Sequence, residues 1–70
     1  MFDYSKLKGL IIECYGSQKC FAEAMEISES YLSGLLHNKI DWSQSLVVSA
    51  MKLLDISRKD IGTYFFAPVV

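Results

Sequence analysis

The chain is expected to form an all-α bundle of five short helices. Three observations predict it: apolar residues recur at helical spacing in five separate stretches, hydroxyl or carboxylate residues suited to helix capping precede them, and no alternating strand pattern appears. The most informative stretch is SQKCFAEAMEISESYLSGLLHNK, residues 17–39. Ser17 is placed to cap a helix whose apolar stripe is Phe21, Ala24 and Met25. Ser28 caps another, with Leu32, Leu35 and Leu36 as its stripe, leaving only Glu26 and Ile27 for the turn. Two helices so closely joined bury their stripes by crossing steeply, which is the helix-turn-helix at 17–38.

The flanking elements follow in order. Asp3 or Ser5 caps a first helix running to about Tyr15, with Tyr4, Leu7, Ile11 and either Cys14 or Tyr15 on its inner face. Leu10 and Ile12 fall on its flanks, and Gly16 ends it in the left-handed region. After a loop at 38–41, Trp42 closes part of the core. Ser43 caps a fourth helix to about Leu54, with Leu46, Val47, Ala50, Leu53 and Leu54 facing inward. Ser57 starts a short fifth helix, with Asp60 as its capping-box partner and Ile61, Tyr64 and Phe65 as its apolar side; Pro68 ends regular structure.

Seventy residues make a single domain, 1–70, whose stability is expected to be only a few kcal/mol. Hydrophobic residues make up 51%, high for so short a chain, so part of that surface is expected to serve a partner. No run reaches the ~18 uncharged apolar residues of a membrane span, and the cytoplasm of a bacterial host is the expected location. Cys14 and Cys20 read as reduced thiols, because a disulfide there would strain the junction of two helices. With His37 the only further soft ligand, no metal site is expected. No acid–base pair, glycine-rich phosphate loop or ligand set points to an enzyme, a cofactor or a small-molecule ligand.

The pattern Ser17-Gln18, Phe21-Ala22, Ile27-Ser28, Leu32-Ser33 and Asn38-Lys39 resembles the Cro and repressor-type helix-turn-helix proteins of temperate phages. The opening MFDYSKLKGLIIECYGSQ and the YFF near the end resemble a small Cro-like subset. Glu26 departs from that pattern, standing where the family usually has a glycine in a position that tends to need positive φ, at a cost of about 1 kcal/mol.

The resemblance implies a transcriptional regulator that reads operator DNA with the helix at 28–37. The outward residues near the start of that helix are the candidate base readers: Glu29, Ser30, Ser33 and Gly34, with Tyr31 at their edge. Glu29 can accept from a cytosine amino group, though it repels the surrounding phosphates. Gln18, Lys19, His37, Asn38 and Lys39 are the candidate phosphate contacts, and the resemblance assigns that role to Gln18. A weak homodimer on a two-fold operator is expected through Tyr64, Phe65, Phe66 and Val69 with the Pro68–Val70 tail, unless this end folds back to cap the core. The net charge of −1 is awkward for a protein that must neutralise phosphates. The alternative keeps the helix-turn-helix fold but uses an acidic, apolar surface to bind a protein, such as a repressor or an antirepressor partner.

Overall fold

Five α-helices follow one another: α1 (Ser5–Tyr15), α2 (Gln18–Met25), α3 (Glu29–Leu36), α4 (Gln44–Leu54) and, after a 3-10 turn at Arg58–Asp60, α5 (Ile61–Phe65). The structure is a computed structural model and describes residues 1–69. Among these the expected all-α architecture holds, and the one extended pairing is an isolated antiparallel bridge between Phe2 and Pro68.

Local chemistry sets each boundary. Ser17, Ser28 and Ser43 adopt extended backbone, and each hydroxyl accepts from the N–H three residues on: Cys20 at 3.1 Å, Tyr31 at 3.0 Å and Leu46 at 3.2 Å. Each bond satisfies a donor that the first helical turn leaves without a partner. At α1 the capping group is Asp3, whose carboxylate accepts from both the backbone N–H and the hydroxyl of Ser5. Those two bonds hold the Asp3 carboxyl below its ordinary value. Gly16 ends α1 at φ 80° as expected. Ser57 donates its hydroxyl to the Asp60 carboxylate at 3.0 Å, so the two residues pair side chain to side chain and the expected capping box, which needs bonds to the backbone N–H groups, is not formed.

Phe21, Phe65, Leu7, Ile11, Leu32 and Leu35 are the largest fully buried side chains. α2 lies at the centre, touching α1, α3 and α4. Its inner face is Phe21, Ala22 and Met25, whereas Ala24 is exposed, a correction to the expected stripe. In an eight-residue helix the two alanines flank the Phe21–Met25 line on opposite sides, and it is Ala22 that is buried, at 1% exposure. Leu53 is a second correction, exposed at 36% while Leu54 is buried. On the inner face of α1, Tyr15 rather than Cys14 completes the stripe; its ring meets Phe21 edge-on at 5.2 Å, and its hydroxyl donates to the Leu53 carbonyl at 3.2 Å.

The α2–α3 turn confirms the backbone demand at Glu26, which sits at φ 60° with its N–H bonded to the carbonyls of Ala22 and Glu23. A glutamate there is strained because its Cβ crowds the following carbonyl.

Two outcomes follow for stability, both readable by thermal and urea denaturation. Glu26→Gly relieves the left-handed strain and stabilises the fold by about 1 kcal/mol. Phe21→Ala removes about 3–5 kcal/mol, comparable with the whole stability of a domain this small, and leaves the chain largely unfolded at 25 °C.

Candidate functional site

The outward face of α3 is defined by what its inward face buries. Leu32, Leu35 and Leu36 lie in the core, so Glu29 and Ser30 stand in solvent at the start of the helix. Tyr31 is 40% exposed beside them, and Ser33 is half-buried. Glu29 sits in the first turn, where its carboxylate complements the positive end of the helix dipole. Of the five expected base readers, Glu29, Ser30 and Tyr31 are therefore exposed and Ser33 partly so.

Gly34 does not belong to that face, contrary to the sequence reading. After α3 the chain doubles back, and the N–H groups of Lys39 and Ile40 both bond to the Gly34 carbonyl, at 2.9 and 3.1 Å. Ile40 is thereby laid over the glycine: a Cβ at position 34 would stand 2.6 Å from Ile40 Cδ1. Gly34 is a close-packing position under the loop. It is closed to DNA.

The expected phosphate contacts also divide. Gln18 opens α2 and is half-buried, while Lys19 and Lys39 are exposed. His37 turns back on its own helix, with Nδ1 2.7 Å from the Ser33 carbonyl and 3.3 Å from the Ser33 hydroxyl. One ring nitrogen is thus committed to ending α3. Asn38 is withdrawn further. At φ 61° its amide clasps the N-terminal segment, accepting from the Phe2 N–H at 3.0 Å and donating to the Phe2 carbonyl at 2.8 Å. Asn38 thus acts as a structural clasp, with its side-chain oxygen and one of its two amide hydrogens engaged by Phe2.

Charge on this face is unfavourable for DNA. Between residues 17 and 39 the charged side chains are Lys19 and Lys39 against Glu23, Glu26 and Glu29, all exposed. Proteins that grip a duplex neutralise about 6–10 phosphates; here two lysines face three carboxylates. Tyr31 adds apolar surface, and Ile12 on α1 and Val48 on α4 are 49% and 48% exposed elsewhere on the molecule.

The expected dimer surface is corrected in part. Phe65 is 1% exposed and packs edge-on against Trp42 at 5.1 Å, so it belongs to the core. Tyr64 is half-buried. Phe66 and Val69 remain on the surface, and Val70 lies outside the described residues. The end of the chain folds back: Ala67 accepts from the Asp3 N–H at 2.7 Å beside the Phe2–Pro68 bridge. The sequence left this folding back open as the alternative to a dimer surface, but not its pairing with Phe2 and Asp3, because contacts across more than sixty residues leave no local periodicity. Cys14 and Cys20 are exposed free thiols. Among the described residues no His, Cys, Asp and Glu group is placed to hold a metal ion, and no helix is long and apolar enough to cross a membrane.

These features define a small all-helical protein with a helix-turn-helix and an acidic outer face. The chain belongs to the family described as "Protein of unknown function (DUF739)", whose model matches residues 1–68. It is similar to the modulator of repression (MOR) of the temperate bacteriophage TP901-1 from Lactococcus lactis, known from a solution structure. The two share 40% identity with a TM-score of 0.83, over 93% of this chain and 88% of that one. No curated protein matches the chain. The chain is thus homologous to a phage modulator of repression.

One outcome tests the clasp. Asn38→Ala removes both bonds to Phe2 and leaves alanine at positive φ, which costs about 1–3 kcal/mol. Hydrogen exchange at the Phe2 amide accelerates, while the α2 and α3 amides keep their protection relative to global unfolding.

Proposed function

We propose that the chain regulates repression by direct contact with a repressor protein, using the outward face of α2 and α3. The observation that carries this reading is the charge of residues 17–39, where the exposed Glu23, Glu26 and Glu29 outnumber the exposed Lys19 and Lys39, whereas a DNA reader needs cations. A surface shaped to enter a major groove but charged like the duplex suits a basic protein partner, since complementary potentials steer association and favour the right register. The relative's description as a modulator of repression supports the same direction. Glu29, Ser30 and Tyr31 are the central contacts on this reading: a carboxylate for a cationic side chain, a hydroxyl, and a ring at the edge.

Direct operator binding is the second reading. It is favoured by one observation, the presentation of Glu29 and Ser30 at the capped, solvent-facing start of α3. Phosphate contact would then fall to Gln18, Lys19 and Lys39.

A gel-shift experiment with the repressor encoded closest to the chain's own gene, and that repressor's operator, separates them. At ~150 mM salt the chain alone leaves the operator unshifted, and it changes the amount of repressor–operator complex when all three are mixed. Glu29→Lys weakens that effect about tenfold, through one reversed charge at the centre of the contact. Saturable binding of the chain alone to the operator, lost steeply with salt and weakened by Gln18→Ala with Lys39→Ala, is the contrary result.

A further inference from the structure

An aromatic hollow on the side of Trp42 is built by the clasp between the two chain ends. Its volume is about 510 Å³, and its walls include Phe2, Tyr4, Trp42, Phe65 and Phe66, with Asp41 at its border. The rings form a continuous tilted and edge-on cluster: Phe2 lies 5.6 Å from Phe66 and 6.4 Å from Tyr4, Tyr4 lies 6.3 Å from Trp42, and Trp42 lies 5.1 Å from Phe65. Asn38 and the Phe2–Pro68 bridge hold Phe2 in place, so this wall is fixed before anything binds.

Two features state what the hollow would take. It is apolar and aromatic, and Phe66 and Phe2 are 51% and 37% exposed at its mouth. Asp41 contributes a carboxylate that is itself exposed, and its charge reaches the site: burial first, and Asp41 second, raise the Tyr4 phenol above its ordinary value. Pockets of about 300–1,000 Å³ lined by aromatic rings with one or two convergent polar groups are the usual form of a ligand site.

We propose that this hollow receives an arginine side chain presented by a partner polypeptide, its guanidinium lying against the aromatic rings and paired with Asp41. Arginine suits both demands, since its planar group stacks on aromatic rings and forks a carboxylate, and it is weakly hydrated. A purely aliphatic occupant leaves Asp41 unused, and an acidic one is repelled by it. The site lies away from the outward residues of α3 and does not depend on what those residues bind.

Trp42 is the one tryptophan of the chain, so its indole signals report the site alone. The test titrates the intact protein with the blocked tripeptide acetyl-Leu-Arg-Leu-amide, followed by the indole N–H resonance and by tryptophan fluorescence. Acetyl-Leu-citrulline-Leu-amide, a neutral isostere, is the comparison. The arginine peptide moves the indole resonance and saturates below ~10 mM, an affinity expected of a single anchored side chain. The citrulline peptide binds about tenfold more weakly, and Asp41→Asn removes the difference between the two peptides. Equal binding of the two peptides to the unaltered protein, or an indole resonance unmoved at ~10 mM peptide, overturns the proposal. An indole shift that depends on protein concentration without peptide overturns it too, by assigning the hollow to a second copy of the chain. Neither repressor nor DNA enters this experiment, so its failure leaves the reading of α3 standing, and the converse holds.

Discussion

The burial of one face of α2 is the constraint on which the rest depends. Phe21 has no exposure, Ala22 is 1% exposed, and α2 is the helix that touches α1, α3 and α4 together. Because a turn of only Glu26, Ile27 and Ser28 separates α2 from α3, the orientation of α2 also fixes which side of α3 faces solvent. Ser17 and Ser28 terminate the two helices chemically, and Glu26 accepts a strained backbone so that the turn stays short. The outward position of Glu29 and Ser30 is thus a consequence of packing three turns away. A substitution that loosens α2 disturbs the functional face without touching it.

On this scaffold the surface, not the fold, decides the partner. A capped helix standing outward from a helix-turn-helix is a shape that suits the major groove, and shape alone does not supply affinity for a polyanion. Here the carboxylates outnumber the lysines across the motif, and two of the five expected phosphate contacts have their polar atoms engaged within the chain, Asn38 with Phe2 and one nitrogen of His37 with Ser33. The same geometry that serves operator reading in one protein can serve protein recognition in another once the charges change. Homology to a modulator of repression fits that exchange.

Much of the fold was legible because its signals are local. A hydroxyl before an apolar stripe marked the starts of α2, α3 and α4, and Gly16 marked the end of α1, since capping and glycine's left-handed backbone are properties of a few adjacent residues. Glu26 was legible for the same reason. The errors arose where the deciding contact is distant or the local pattern is degenerate. Ala22 and Ala24, like Leu53 and Leu54, are near-equivalent by spacing, and the neighbouring helix chooses between them. Gly34 was read as exposed because nothing in its own turn announces that Ile40 folds over it. Asn38 has the turn-forming character expected of it, yet its amide is taken by Phe2 at the far end of the chain. Glu29, Ser30 and Tyr31 are exposed where the helical spacing of Leu32, Leu35 and Leu36 put them, since that stripe sets which side of α3 is buried.

The most direct measurement is a pair of chemical-shift titrations of the isotopically labelled chain at ~150 mM salt, one with the repressor and one with the operator duplex. Repressor should move the amides of Glu29, Ser30, Tyr31 and Ser33 while the duplex leaves them unmoved, since few phosphates can be neutralised at this salt. Movement of those amides by the duplex, with none on adding the repressor, would contradict the account.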